Sequence, residues 1–556
     1  MDRAPGQVVR EKGTPSPSFW AKVPVDPAFD QWLTIGVERK VLVVVRTVTT
    51  LTRLLDILSL IENDHRVQLV FTYDADSTAI FSAGVPEYLG KLRASVVPWR
   101  QAIESRFDLV IAASENDDLH LFDAPIVLVP HGIGFQKYYP RSRTVAGMNP
   151  ARLVRDGRVV PAMVALSHPE QRAHLRQAGS EAAGRAVMVG DPCHDRLRAG
   201  IHRAPAYRAA FGAPGHTLVV IASTWGPGSL LGTVPDLPLR LVSELEYDEY
   251  RCCAVLHPGI TAAHSPWQVD AWLSEARQAG LRVLPPEAGW QAALTAASCV
   301  ISDFGSLALY AAAVDRPLLL IGDGGETMVP GSPIEALAAQ TARLDPDAAL
   351  GPQIELAIHR HSPGDHAAIV KQAVGAPDMS AGLLRPQLYR LMNLPEPATE
   401  ASFPPHEVPD VEPQEVAIFV VGAEAAGAAT RIVRFPSTGR RHDLAGKHLV
   451  AHETRATLRQ LSSASIVYIG LEESDRERFP LWSEEILHQW PDAAVAAATV
   501  GRSTCLVRTR DGVQRELTLT DRSIDPLIAA SLAYLDRLSP TEVVKIGDRP
   551  VTIRVR

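Results

Sequence analysis

The chain has 556 residues, too many for one hydrophobic core, and is expected to divide into about three domains. Hydrophobic residues make up 46% and charged residues 21%, which is typical of globular domains and excludes a disordered or fibrous chain. The net charge of -8 gives no general attraction to nucleic acid or to acidic lipid, so a nucleic-acid partner is not expected.

Cysteine usage indicates a reducing compartment. The count of five is odd and contains no C-x-x-C pair, which favours a reduced, cytoplasmic protein without structural zinc. The first twenty residues lack the apolar core of a secretory signal, and no stretch reaches the roughly 18 apolar residues of a transmembrane helix. We therefore expect no transmembrane segment, and any membrane contact would be peripheral.

Buried-strand runs alternate with helical periodicity through most of the chain. After an N-terminal arm at 1–38, strands are predicted at 40–46, 67–72, 94–97, 108–112, 124–129, 163–166 and 186–190. A second series follows at 216–224, 251–256, 281–284 and 299–301. Such alternation implies parallel sheets covered by helices, so the fold class is α/β with two Rossmann-like domains, 39–195 and 196–394, the second including packing helices. Their facing strand ends form the expected ligand cleft.

The remainder of the chain is predicted to form a separate unit. Residues 395–414 are rich in proline and acidic residues, which is typical of a stiff linker. Residues 415–556 again mix strands and helices and are predicted to be a smaller accessory α/β domain. Its basic residues are interpreted as a solvated surface in preference to an anion-binding patch: Arg431, Arg434, Arg440, Arg441, Lys447 and Arg455.

Four short segments at predicted strand ends carry the chemistry. They are Pro130-His131-Gly132, Ser223-Thr224-Trp225, Leu256-His257-Pro258 and Ser302-Asp303-Phe304-Gly305-Ser306. In the last segment, a strand passes through a tight turn into a helix. Because the first turn of a helix presents unpaired N–H groups, and Gly305 permits close approach, this turn is suited to a phosphate group. A histidine just past a strand in each half is placed for acid–base chemistry across the cleft.

The order and spacing of these segments resemble the CDP-glycerol glycerophosphotransferases, the teichoic acid polymerase family with a GT-B-type fold. The resemblance covers about residues 40–350. It implies that His131 is the base for an acceptor hydroxyl and that His257 contacts the donor phosphates. It further implies a diphosphate site at Ser302, Asp303, Gly305 and Ser306, with Thr224 near the donor.

The segments also depart from the family pattern. A tryptophan, a threonine, an arginine and a serine of the family are replaced here by Pro130, Ile133, Leu256 and Gly305. The loss of the arginine removes a cation that could neutralise phosphate. This departure weakens the expectation of CDP-glycerol itself more than that of a nucleotide diphosphate.

Several further residues are candidates with a structural explanation of equal weight. Gly132 lies beside His131, His264 is a candidate third histidine of the cleft, and Asp323 and Glu326 follow another strand end, where carboxylates commonly bind ribose. The acidic run 114–118 is interpreted as a solvated loop. We expect neither a cofactor nor an essential metal, because transferases of this kind stabilise the leaving phosphate with helix dipoles and side chains.

The sequence therefore predicts a transferase that moves a glycosyl or glycerophosphate-type group from a CDP-alcohol or a sugar nucleotide to an unknown acceptor. Two alternatives remain open at this point. One is an enzyme resembling UDP-sugar 2-epimerases or hydrolases, which would need no acceptor. The other is a catalytically silent nucleotide-binding scaffold.

Overall fold

The computed structural model describes residues 25, 33–76, 82–133, 136–139, 142–177, 180–322, 324, 328–412, 414–438 and 443–556. Most of the predicted arm at 1–38 lies outside these residues. So do Asp323 and Glu326 of the candidate site, and Arg440 and Arg441 of the basic group.

The first domain is built on a six-stranded sheet in which all paired strands are parallel, in the order β2-β1-β3-β4-β7-β8. Its strands, with a small hairpin of β5 and β6, are β1 Arg39–Val44, β2 Val67–Thr72, β3 Leu109–Ala112, β4 Ile126–Leu128, β5 Val154–Arg155, β6 Arg158–Val159, β7 Met163–Leu166 and β8 Ala186–Met188. Its helices are α1 Val48–Leu58, α2 Val85–Lys91, α3 Trp99–Glu104, α4 Pro150–Leu153, α5 Glu170–Gln177 and α6 Pro192–Ala199. The strand predicted at 94–97 forms only one bridge, between Val96 and Phe71.

The second domain has a five-stranded parallel sheet in the order β11-β10-β9-β12-β13. Its strands are β9 Thr217–Ser223, β10 Tyr250–Leu256, β11 Arg282–Val283, β12 Cys299–Ser302 and β13 Leu318–Leu320. Its helices are α7 Ala204–Ala210, α8 Leu230–Thr233, α9 Leu237–Glu244, α10 Pro258–His264, α11 Pro266–Gln278, α12 Trp290–Ala296, α13 Ser306–Ala313, α14 Pro333–Gln340, α15 Leu350–Arg360 and α16 Ala367–Ala373.

Apolar side chains cover both faces of the two sheets. The sheet residues of the first domain divide between two buried clusters, and those of the second domain divide in the same way. Strands that are buried on both faces read as continuous apolar runs, which explains why the sequence identified them. The predicted pair of Rossmann-like parallel-sheet domains is confirmed.

The chain returns to the first domain after the second. Helix α17, Ser380–Leu391, buries Leu384 and Leu388 in the core of the first sheet. The proline-rich segment at 395–414 then lies against both domains: Arg196 donates to the Pro404 carbonyl at 3.0 Å, and Tyr207 donates to the His406 carbonyl at 2.6 Å.

The third domain corrects the predicted α/β unit, because its strands close into a nine-stranded mixed barrel. The strands are β14 Ile418–Ala426, β15 Ala429–Pro436, β16 His448–His452, β17 Ile466–Leu471, β18 Val495–Val500, β19 Thr504–Thr509, β20 Gln514–Leu519, β21 Thr541–Ile546 and β22 Arg549–Val555. The helices are α18 Leu458–Ser462, α19 Phe479–Gln489 and α20 Ala530–Tyr534. Parallel pairing of β15 with β21 joins the two ends of the domain, and α20 contributes Leu532 to the barrel core.

A buried arginine joins the barrel to the second domain. Arg434 is 1% exposed, donates to Asp248 at 2.8 and 2.5 Å, and donates to Asp525 at 2.9 Å. Arg431, which is partly exposed, pairs with Glu246 of the second domain at 3.5 Å. Arg434 is therefore not part of the solvated surface predicted, and Arg431 lies at the same domain contact, whereas Lys447 and Arg455 are exposed.

Candidate functional site

The site lies where the loop after β4 meets the loops after β9, β10 and β12. Strand ends of two parallel sheets face one another there, at the position where such folds bind ligands. A cavity of about 90 Å³ is lined from both domains, by Pro130, His131, Gly132, Gln136, Lys137, Ala146, Phe304, Gly305, Ser306, Leu309 and Ile334.

His131 is exposed, and it lies in the loop after β4. The protein around the cleft nevertheless desolvates the imidazole, which lowers its pKa, and the charge of Arg53 acts in the same direction. The Glu115 carboxylate opposes this shift. A pKa below 6.5 leaves the ring neutral at physiological pH, and a neutral imidazole can accept a proton.

Arg53 of α1 holds the His131 loop in place. Its Nε donates to the His131 carbonyl at 3.3 Å. Its guanidinium lies 5.3 Å from the ring centre of Trp290 and 4.7 Å from that of Tyr310, both in the second domain. Cation–π contacts of a buried arginine stabilise this arrangement, so the loop that carries His131 is anchored to the opposite domain.

His257 lies near this cavity, at the end of β10, but is not among the residues that line it. It caps α10, and its Nδ1 accepts from the Gly259 N–H at 2.9 Å. Desolvation lowers its pKa to about 4, and the positive charges of His131 and Lys137 contribute. The ring is therefore neutral at pH 7, and because Nδ1 is an acceptor, its proton is on Nε2. His257 is a hydrogen-bond donor without a charge.

The turn after β12 presents Ser306 to the cavity. Ser306 is exposed at the first position of α13, and Gly305 precedes it in an extended conformation. A side chain at position 305 would collide with the Thr224 methyl group, so glycine is required there. The first N–H groups of α13 and the Ser306 hydroxyl thus open onto the cavity lined by His131.

The other residues of this turn are engaged in internal contacts. Ser302 is buried and donates to the Ala222 carbonyl at 3.2 Å. The Oδ2 atom of buried Asp303 accepts from the Thr224 N–H at 2.7 Å, the Thr224 hydroxyl at 2.9 Å and the Leu230 N–H at 2.9 Å. Burial raises the pKa of Asp303. In this structure Asp303 and Thr224 connect two loops of the second domain, and the role of all three residues in donor binding stays a prediction.

His264 lies elsewhere. It ends α10, packs edge-on against Trp272 with ring centres 5.0 Å apart, and lines a separate groove of about 930 Å³ between α8–α9 and α10–α11. Trp225, in the loop that follows Thr224, lines the same groove. The structure thus brings His131, Gly132, Gly305 and Ser306 to one cavity with His257 nearby, but not His264, and Asp323 and Glu326 lie outside the described residues.

Two residues of this region were not identified from the sequence. Glu115, interpreted as part of a solvated loop, is 3% exposed and accepts from the Tyr139 hydroxyl at 2.6 Å. Its position at the carboxyl end of β3 was the available signal, because neighbouring strand ends share an edge of the sheet. Lys137 had no signal, because its loop has no regular pattern that fixes where the side chain goes.

Two structural features concern other classes of function. No described helix is long and apolar enough to cross a membrane. Among the same residues, no group of three or more histidine, cysteine, aspartate or glutamate side chains is arranged to hold a metal ion. The metal-independent reaction remains a prediction.

Comparison with known proteins gives a distant likeness in structure. Neither a protein-family model nor a curated protein sequence matches the chain. Solved structures that resemble it include the wall teichoic acid polymerase TagF, with 12% identity over 64% of this chain and 89% of that chain at a TM-score of 0.42. A glycosyltransferase from Rickettsia africae shows 12% identity over 64% and 98% of the two chains, with a TM-score of 0.36. Anabaena HepE, solved with UDP and glucose, shows 12% identity over 64% and 99%, with a TM-score of 0.35. At these TM-scores the likenesses carry no conclusion about what the chain does.

Proposed function

We propose that this chain is a transferase that moves a glycosyl or glycerophosphate-type group from a nucleotide-diphosphate-activated donor to an acceptor hydroxyl. The donor would be a CDP-alcohol or a sugar nucleotide. One observation carries the proposal: His131 of one Rossmann-like domain and the N-terminus of α13 in the other line the same cavity.

His131 would act as the general base. Its lowered pKa keeps a nitrogen lone pair available at neutral pH, so it can take the proton as the acceptor oxygen attacks. The new bond forms between that oxygen and the transferred group, and the bond from this group to the nucleotide breaks. The leaving group is a nucleoside diphosphate for a sugar nucleotide, and a nucleoside monophosphate for a CDP-alcohol.

The second domain would stabilise the charge that develops on the leaving phosphate. The N–H groups at the start of α13 and the Ser306 hydroxyl would donate towards the cavity, and nearby His257 would contact the donor phosphates. Donors fixed in place before the reaction need no rearrangement when charge develops, which makes such sites effective. The segment resemblance to the CDP-glycerol glycerophosphotransferases supports the same roles for His131, His257 and Ser306.

A binding screen followed by a turnover assay tests this function. Thermal unfolding is measured with CDP, UDP, GDP, ADP and their sugar or alcohol conjugates, using wild type, Ser306→Ala and the control Ser274→Ala on the exposed face of α11. A ligand at about 100 times its Kd stabilises the fold by roughly 2.7 kcal/mol. We expect one nucleotide family to raise the Tm of wild type and of Ser274→Ala, and to raise the Tm of Ser306→Ala less. In the turnover assay, consumption of the donor should depend on an acceptor.

Each of the other possible results would indicate a different conclusion about the function. No stabilisation by any nucleotide would refute the donor site. Consumption of the donor without an acceptor would identify a hydrolase or epimerase. Binding without turnover over a broad acceptor panel would identify a scaffold.

A further inference from the structure

Lys137 enters the cavity on a segment that both domains hold. Its backbone pairs with Met328 of the second domain in an antiparallel bridge, and the Val329 N–H donates to the Gln136 carbonyl at 3.0 Å. Within the first domain, the Ala146 N–H donates to the Lys137 carbonyl at 2.9 Å. A lysine fixed by its backbone on two sides has a limited range of positions for its ammonium group.

Among the described residues, the Lys137 ammonium is near one carboxylate but does not form a direct ion pair with it. Lys137 is half-buried, and desolvation lowers its pKa. That carboxylate is Asp303, whose Oδ2 accepts three hydrogen bonds from the neighbouring loops and whose buried Oδ1 has no hydrogen-bond partner among the described residues. In the part of the chain that the structure describes, Lys137 forms no ion pair within 4.0 Å.

Among the described residues that line the cavity, Lys137 is also the one charged side chain. The pKa of His131 is lowered, so this lining residue is neutral at pH 7, and the remaining residues carry no ionisable group. Nearby His257 is held neutral in part by the charge of Lys137 itself. An ammonium among neutral donors, beside the N-terminus of α13, forms a site for an anion.

We propose that Lys137 binds the donor phosphates directly and neutralises their charge from the acceptor-side domain. This inference rests on the proposed function, and it names a substrate-binding residue that spans the cleft. The cavity of about 90 Å³ has room for several waters, and therefore for a phosphate group. Because Lys137 and Ser306 belong to different domains, the same anion would contact both and stabilise their approach.

The test uses inorganic pyrophosphate, which needs no knowledge of the base or the transferred group. Calorimetry on the full chain compares wild type, Lys137→Met, Lys137→Arg and the control Lys371→Met on the exposed face of α16. We expect Lys137→Met to weaken pyrophosphate binding about 10-fold or more, because a charge-assisted hydrogen bond is lost. Lys137→Arg should stay within about 3-fold of wild type and Lys371→Met should be unchanged.

The pH dependence gives a readout that a merely structural role would not produce. Affinity of the wild type should fall as pH rises through the pKa of Lys137, which lies below the 10.5 of a free lysine. Lys137→Arg should keep its affinity over this range, because a guanidinium stays charged. Identical alkaline profiles for the two proteins would overturn the proposal.

The two proposals fail separately. If a nucleotide donor binds Lys137→Met as tightly as it binds wild type, and Tm shows that the variant is folded, then Lys137 does not bind the donor phosphates. The proposed transferase function is unaffected by that result. If wild type binds pyrophosphate through Lys137 but no nucleotide of the panel, the anion site stands and the donor falls. If wild type binds no pyrophosphate, the anion site is refuted, and nucleotide turnover alone decides the function.

Discussion

Gly132 and Ser306 meet across the boundary between the two parallel-sheet domains: a Cβ atom on Gly132 would lie 3.0 Å from the Ser306 Oγ. This approach brings the loop of the candidate base against the helix N-terminus of the candidate phosphate site. The absence of a side chain at 132 therefore sets how closely the halves of the site come together.

We predict that Gly132→Ala weakens nucleotide binding about 10-fold, or about 1.4 kcal/mol, because the added methyl displaces the Ser306 hydroxyl. Gly382→Ala is the control, because a Cβ there meets nothing within 4 Å. Calorimetry on both single variants and on Gly132→Ala in a Ser306→Ala background measures the coupling. If Gly132→Ala weakens binding as much when Ser306 is already alanine, the contact is not the cause.

His131→Ala should slow turnover by about 10² to 10⁴ and leave nucleotide affinity nearly intact, because a general base acts on the acceptor proton and not on the donor. In the wild type, the rate should fall as pH drops through the His131 pKa, at a value below 6.5, since only the neutral ring accepts a proton. The control is His264→Ala, which alters the separate groove. Full activity of His131→Ala would exclude the residue as base. The same fall of the rate at low pH in His131→Ala as in wild type would also exclude it.

Arg434→Met should lower the free energy of unfolding by about 3–5 kcal/mol, because it leaves the buried Asp248 carboxylate without its cation. Arg431→Met, at a partly exposed pair of the same domain contact, should cost less than about 1 kcal/mol. Urea unfolding with hydrogen exchange in β15 measures both. If both variants lose a similarly small free energy of unfolding, solvent reaches the Arg434–Asp248 pair.

Acid should destabilise the fold in part through His406. Desolvation and the charges of Arg196 and Arg53 lower its pKa to about 3, so the unfolded chain binds this proton more readily than the folded one. Stability present above pH 6.5 is therefore lost as pH falls towards 3. Between pH 7 and 4.5, the Tm of His406→Gln should fall less than the Tm of wild type. The Tm of exposed His359→Gln should fall as much as that of wild type. The reverse order would show that the His406 ring is protonated in the folded protein.

Local pattern identified much of the candidate site. His131, His257 and Ser306 each follow a buried strand, and the ends of parallel strands share an edge of the sheet. Their convergence was therefore expected from the order of the segments. The engagement of Asp303 with the Thr224 loop was not, because hydrogen bonds between loops depend on how the helices pack.

The sequence by itself determined the two parallel-sheet domains, because strands buried on both faces must be continuous apolar runs and these occur at regular intervals. It also determined the strand-end residues, since chain order fixes which turn follows which strand. Only the tertiary structure decided that β15 pairs with β21 and closes the last domain into a barrel. The alternation of apolar and polar side chains shows which face of a strand is buried, but not which strand is its partner. Only packing, likewise, decided that Lys137 reaches the cavity: its position follows from contacts that cross between domains, and local sequence does not encode them.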